Sequence, residues 1–100
     1  IYVIDQKCDE PYIFIPNAFT PNNDLQNDVF LVRSEILEEM NIKIFDRWGE
    51  KVFESNNINY GWDGRYKGEL LQPTVYVYYF KGKCQNQKFF EKKGNVTLIR

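Results

Sequence analysis

The chain has 100 residues, of which 43% are hydrophobic and 17% aromatic, with thirteen basic side chains, fourteen acidic ones and no histidine. A chain of this length forms one domain and buries roughly 60% of its unfolded surface. Its net charge of −1 gives no support to bulk electrostatic affinity for nucleic acid.

The two halves of the chain differ in charge. Residues 1–50 carry ten acids and four bases, whereas residues 51–100 carry four acids and nine bases. We favour the interpretation that the halves complement each other in the folded domain, and the alternative is a basic face offered to a partner.

The start of the chain predicts a fragment of a longer protein. The first residues, IYVID, resemble the tail of a strand that began earlier, and no initiator Met precedes them. There is no signal peptide and no apolar run of transmembrane length, so we expect no membrane insertion by this domain itself. A missing N-terminal part could carry the export signal.

Two cysteines, Cys8 before the first strand and Cys84 in a predicted turn, favour a disulfide. Both lie in polar surroundings, and the bridge would stabilise the domain by roughly 3–5 kcal/mol. The alternative is two unrelated buried thiols. A bridge implies an oxidising compartment. Zinc is not expected, because the chain has no histidine and no CxxC pair.

The first predicted elements are a strand over residues 12–16, with Ile13 and Ile15 on one face, and a long polar loop around Phe19. Prolines fix φ in this loop, and Asn and Asp side chains bond their own backbone in turns. An ordered loop of this length is usually functional or a family signature. Its candidate residues are Asn17, Phe19, Pro21, Asn22, Asn23, Asp24, Asn27 and Asp28.

The same loop raises the possibility of a cation site. Asn22, Asp24, Asn27 and Asp28 supply the hard oxygen ligands that Ca²⁺ prefers. The spacing lacks the EF-hand pattern and its final bidentate Glu. We therefore favour side chains that cap turns over a bound Ca²⁺, and expect no other cofactor.

The middle of the chain predicts a strand at 29–33, one helical turn at 34–40, and a hairpin. Ser34 would cap the helical turn, with Ile36, Leu37 and Met40 pointing inward. Residues 41–46 alternate in polarity, RWGE at 47–50 forms a tight turn, and 51–54 returns as the hairpin partner.

Two turns carry a tryptophan each. The turn residues are Arg47, Trp48 and Gly49 in the first, and Trp62, Asp63 and Gly64 in the second. A tryptophan beside a tight turn usually folds back onto the core, and we expect this of both. The alternative is a sugar-stacking platform, which requires exposure of Trp48, Trp62 and Tyr66.

The strongest predicted strand covers 74–81, with Val75, Val77 and Tyr79 on one face and the intervening aromatic residues on the other. Strands at 88–93 and 95–100 follow, separated at Gly94. About seven short strands with regular turns predict an all-β fold, an immunoglobulin-like β-sandwich. Catalysis is not expected, because histidine is absent and Ser34 and Ser55 have no GxSxG context.

Several motifs together carry a family resemblance. They are IPNAFTPNND at 15–24, ND at 27–28, IFDRWGEKVFES at 44–55, GWDG at 61–64, VYVYYF at 75–80 and KGNVTLIR at 93–100. In this order and spacing they resemble the gliding-motility-associated C-terminal domain, the type B sorting domain of the type IX secretion system. Leu25 follows Asp24 where that family usually has glycine, and the chain has Pro73-Thr74-Val75 where the family often has a glycine before VYVY. The resemblance makes residues 11–100 the sorting domain and residues 1–10 the end of a preceding repeat and a linker.

The resemblance implies a non-catalytic sorting signal at the end of a larger surface or secreted protein, often an adhesin or an enzyme. Such proteins cross the periplasm and the outer membrane of a gram-negative bacterium and remain on the cell surface or are released. The implied partners are components of the type IX translocon and a small outer-membrane β-barrel protein.

We place the docking surface in the last strand of the chain. Val96 and Leu98 can face the core while Thr97, Ile99 and Arg100 face outward, and an edge strand is a template for strand addition. A plainer role as the last strand of the sandwich is compatible with this. The rival functions are a carbohydrate-binding module and a structural immunoglobulin-like spacer of an adhesin. The candidate partner-binding residues are Lys93, Gly94, Asn95, Val96, Thr97, Leu98, Ile99 and Arg100.

Overall fold

Nine strands and their connections make up the part of the domain that the structure describes. The computed structural model describes Cys8, residues 12–21 and residues 28–99. Within these ranges every regular element is a strand, which confirms the all-β prediction, and no helix there could cross a membrane. Five of the nine strands have only two residues. The strands are β1 (Ile13–Phe14), β2 (Ala18–Phe19), β3 (Arg33–Ser34), β4 (Leu37–Phe45), β5 (Lys51–Ser55), β6 (Arg65–Tyr66), β7 (Glu69–Leu70), β8 (Val75–Cys84) and β9 (Phe89–Leu98).

A five-stranded sheet in the order β2-β9-β8-β4-β5 forms one layer of the fold. The long strands β4, β8 and β9 are antiparallel neighbours, and β2 adds to β9 in parallel. The register sets Ile44 opposite Tyr78, and Tyr78 opposite Gly94. One face of this sheet is the inner face, and the other is exposed.

The second layer consists of the small sheets β1-β3 and β6-β7 and a bridge between Phe30 and Trp62. Apolar side chains from both layers meet in one core, because alternate residues of a strand point to the same face. The resulting sandwich-like fold is compatible with the predicted immunoglobulin-like class. The core contains Cys8, Ile13, Ile15, Phe19, Phe30, Val32, Ile36, Ile42, Ile44, Val52, Trp62, Tyr76, Tyr78, Phe80, Cys84, Val96 and Leu98.

The predicted alternation of β8 is confirmed. Tyr76, Tyr78 and Phe80 are buried, while Val75 and Val77 lie on the opposite, outer face. The hairpin of β4 and β5 is also confirmed, with its turn at residues 46–50.

The predicted helical turn at 34–40 is wrong. This segment ends β3 and begins β4, because Leu37 pairs with Cys84 and Glu39 with Lys83 across a local irregularity in the register. The hydroxyl of Ser34 does accept the N–H of Ile36, at 3.1 Å, but as a bend between strands. Pairing with β8 therefore overrides the local helical preference.

The predicted break at Gly94 is also wrong, since β9 runs without interruption from Phe89 to Leu98. A Cβ at Gly94 would lie 2.6 Å from the hydroxyl oxygen of Tyr78. The glycine therefore makes room for the tyrosine side chain, which covers it from the neighbouring strand. The predicted strand at 29–33 is reduced to the bridge at Phe30 and the start of β3.

A disulfide joins Cys8 to Cys84, the last residue of β8, with 5.8 Å between their Cα atoms. Cys84 opposes Leu37, so the bridge lies at the end of the sheet where β4 and β9 begin. The turn of the β4–β5 hairpin and the last residues of β9 lie at the other end.

Candidate docking surface

The last residues of β9 are held between two strands. The N–H of Thr97 donates to the carbonyl oxygen of Asn17 (2.9 Å), and the N–H of Ile99 donates to that of Phe19 (3.0 Å). On the other side, the N–H of Leu98 donates to the carbonyl oxygen of Thr74 (2.9 Å). The expectation of a free edge along this part of the last strand is therefore wrong.

The side chains of this segment divide as expected. Val96 and Leu98 are buried in the core, and Ile99 is 46% exposed. Thr97 is half-buried on the outer face, while Arg100 lies outside the described residues. The side chain of Ile99 is accessible to a partner, whereas the N–H groups of Thr97, Leu98 and Ile99 are already paired within the domain.

The loop after β1 is anchored in the core by its aromatic residue. Phe19 is buried, with its ring centroid 5.3 Å from that of Trp62 and 6.1 Å from that of Phe30. Phe19 therefore stabilises the fold as a core residue, and the pairing of β2 with β9 holds the loop against the last strand.

The candidate cation site cannot be assembled from the described part of the loop. Asn22, Asn23, Asp24 and Asn27 lie outside the described residues, and Pro21 and Asp28 flank them. Within the described ranges, no three metal-ligating side chains converge. The Ca²⁺ possibility stays a prediction.

Trp62 folds into the core, as predicted, and is 1% exposed. Its main chain exchanges hydrogen bonds with Phe30, at 2.8 and 3.0 Å, and its indole N–H donates to the carbonyl oxygen of Arg65 at 3.0 Å. Asp63 accepts the N–H of Arg65, and Gly64 has φ = 81°. The GWDG motif therefore stabilises the fold, because its tryptophan packs between the two layers.

We expect Gly61→Ala to destabilise the domain by about 1–3 kcal/mol, the usual cost of overpacking. The added Cβ would lie 2.5 Å from the carbonyl oxygen of Phe30 and even closer to the side chain of Val29, so the bridge to Trp62 must shift. Urea unfolding measures the loss. Gly68→Ala is the control, because nothing lies within 4 Å of its added Cβ and only its φ of 82° is unfavourable. Equal losses in both variants would contradict this account.

Trp48 lies at the tip of the β4–β5 hairpin and is 80% exposed, so the expectation that it folds onto the core is wrong. One carboxylate oxygen of Asp46 accepts the N–H groups of Trp48 and Glu50, each at 2.9 Å. Gly49 completes the turn with φ = 85°. The guanidinium of Arg47 lies 5.1 Å from the indole centroid. A fixed turn thus presents a tryptophan to solvent.

Further apolar side chains lie at the same end of the outer face. Phe45 pairs with Val77, and Val75 pairs with Thr97. Val75 is 47% exposed, and Phe45 and Val77 are half-buried. We call this set the apolar end, and it comprises Phe45, Trp48, Val75, Val77, Thr97 and Ile99.

Polar and charged side chains lie beside the apolar end on the outer face. The carboxylate of Glu54 accepts hydrogen bonds from the ammonium of Lys51 (2.5 Å) and the amide of Asn41 (2.9 Å). The bond from Lys51, and next that from Asn41, hold the pKa of Glu54 below its ordinary value. The outer face therefore carries an ionic cluster directly beside the apolar end.

These strands and contacts define an all-β, sandwich-like domain that presents a tryptophan on a fixed turn. A family model described as the CHU_C type IX secretion signal domain matches residues 13–98, and the chain belongs to this family. No curated protein matches the chain. The chain therefore carries a sorting signal for the type IX secretion system, whose substrates are exported to the cell surface or the medium of gram-negative bacteria.

Sequence reasoning missed the exposure of Trp48 and the apolar residues beside it. Asp46, two residues before Trp48, is a signal that could have revealed the exposed turn, because Asp side chains bond the backbone two residues on. The contribution of Phe45 and Val77 depends on strand register, which the sequence does not show.

Proposed function

We propose that this chain is the folded docking label of a larger surface or secreted protein and has no catalytic role. In this proposal, type IX translocon components recognise the folded domain, and a small outer-membrane β-barrel protein receives it. The passenger then remains at the cell surface or is released. Membership of the secretion signal family supports the sorting role, and the surface of the domain supports docking.

The exposure of Trp48 is the observation that carries the docking proposal. Tryptophan and arginine are enriched among residues that dominate binding energy at interfaces. The turn that holds Trp48 is fixed by Asp46, so binding would cost little ordering. Ile99 and Thr97 extend the apolar end along the last strand, where the proposed partner-binding residues 93–100 lie.

A carbohydrate-binding function receives less support from this surface. It requires a row of exposed aromatic rings, but Trp62 is buried and Tyr66 is half-buried, so Trp48 stands without either. A plain spacer module predicts that sequence changes at the apolar end have no effect on export.

We expect Trp48→Ala, and separately Ile99→Glu, to reduce export of a fluorescent passenger fused to this domain by roughly tenfold, as loss of a hot-spot contact would. The assay measures surface and medium fluorescence in a bacterium with a type IX system. Substitution is preferable to deletion of the strand, because Val96 and Leu98 are buried and their loss would unfold the domain.

Leu70→Ala is the matched control, since Leu70 is an exposed apolar residue on β7, outside the apolar end. It should leave export unchanged. Replacement of the whole domain by an unrelated β-sandwich should abolish export. Full export with that replacement would refute the sorting role itself, whereas full export of both point variants would refute only the docking role of the apolar end.

A further inference from the structure

Among the described residues, the first half of β9 has one open side that no strand covers. In a strand, successive N–H groups point to opposite sides, and in β9 the N–H of Leu98 points to β8 whereas those of Thr97 and Ile99 point to β2. By this alternation, Phe89, Glu91 and Lys93 point their N–H and carbonyl groups away from β8. Strand β2 begins to pair only at Thr97. Among the described residues, no strand pairs with β9 before that point.

This open side has the geometry needed to bind an additional strand. Unpaired N–H and carbonyl groups in a row are complementary to another extended backbone. The same side of β9 already accepts β2 further along, so an added strand would continue an existing ladder. Phe89, at the start of the row, is 73% exposed and offers apolar contact.

A shallow depression of about 400 Å³ lies on the outer face across β4, β8 and β9, with Phe89 and Glu91 at its β9 side. Apolar surface from Met40, Gly82 and Phe89 lines part of it, and Phe89 lies where an added strand would pass. Lysines outnumber acids around the edge and the depression, which favours an acidic occupant. The basic residues are Lys81, Lys83, Lys88 and Lys93, and the acidic ones are Glu38, Glu39 and Glu91, of which Glu38 lies 3.9 Å from the ammonium of Lys83.

A second copy of this chain is a poor occupant. Antiparallel pairing of two copies centred on Glu91 would set the two Glu91 carboxylates directly opposite each other, and like charges in that position destabilise a sheet. Lysine at an edge also opposes pairing between identical strands. An acidic strand from another protein meets neither obstacle.

We infer that the edge of β9 from Phe89 to Lys93 binds an extended segment of a partner protein as an additional strand, with carboxylates at alternating positions of that segment. This inference deepens the proposed function and rests on it. It adds a backbone-mediated contact, separate from the side-chain contacts of the apolar end.

The test measures binding of a short peptide of alternating glutamate and valine to the domain, by fluorescence anisotropy. Glu91→Pro removes an N–H from the open side, while the ladder with β8 keeps its bonds, a position at which strands tolerate proline. We expect roughly tenfold weaker peptide binding. Lys93→Glu, which leaves the backbone unchanged, should weaken binding by a similar factor. Lys67→Glu, the same charge change in the β6–β7 turn, should have no effect.

The outcomes separate this inference from the proposed function. Failure of the peptide to bind, equal binding by Glu91→Pro and Lys93→Glu, or equal binding of a lysine–valine peptide would overturn the inference. The sorting role would survive any of these results if export still required the domain. Conversely, export without the domain would refute the sorting role, whatever the peptide does. In the export assay, Glu91→Pro and Lys93→Glu should each lower export, and Lys67→Glu should not.

Discussion

Replacement of Trp62 by alanine is expected to lower the free energy of unfolding by about 3–5 kcal/mol, the range for truncating a large buried aromatic residue. Trp62 is fully buried, and its ring lies 5.3 Å from Phe19 and 5.1 Å from Tyr76 between centroids. The change removes these contacts and also the hydrogen bond to the carbonyl oxygen of Arg65. Chemical denaturation followed by tyrosine fluorescence or circular dichroism measures the loss.

Trp48→Ala provides a matched control with the same substitution. Trp48 is exposed at the hairpin tip, and its main-chain bond to Asp46 does not require the indole. The stability change should therefore remain within about 0.5 kcal/mol. Together the two variants separate folding from docking, since only Trp48→Ala should reduce export from a domain that stays folded. If Trp48→Ala lost as much stability as Trp62→Ala, the side chain of Trp48 would have to be packed against the domain and not exposed to solvent.

Removal of the disulfide has the second large expected effect. The bridge joins residues that are 76 positions apart, so it strongly limits the freedom of the unfolded chain. The double variant Cys8→Ala, Cys84→Ala should lose about 2–5 kcal/mol of stability. Thermal unfolding with and without a thiol reductant measures this.

Reduction supplies the control for that variant. The original chain in reductant should approach the stability of the double variant, and the double variant should not respond to reductant at all. A double variant as stable as the oxidised chain would contradict the role given to the bridge. Because Cys84 is buried, alanine is preferable to serine, which would leave a hydroxyl in the core.

The sequence predicts the fold correctly in segments where the period of the hydrophobic residues matches the strand pairing in the structure. Strand β8 alternates aromatic and outward residues so regularly that its buried face follows directly from the pattern. The tight turn at 47–50 follows from Asp46 and Gly49, which favour that geometry. The GWDG motif was recognisable as a turn that returns a tryptophan to the core.

The failures share a physical cause. Residues 34–40 have a helical pattern, but Leu37 and Glu39 obtain strand partners 44 or more positions later in the chain. Gly94 looks like a strand breaker until Tyr78 is placed opposite it. The expected free edge at the end of β9 was wrong because a parallel two-residue strand, β2, covers it. Each error concerns a distant partner, which local pattern does not specify.

The position of the Cys8–Cys84 bridge determines how the domain responds to mechanical load. Tension applied between Cys8 and Ile99 enters at one end of β8 and leaves at the opposite end of β9. Such a load acts along the strands, and because ladder hydrogen bonds lie perpendicular to them, many bonds resist shear together instead of opening one at a time. A protein attached through Cys8 would therefore be held by many hydrogen bonds of the β8–β9 ladder, which must break together under such a load.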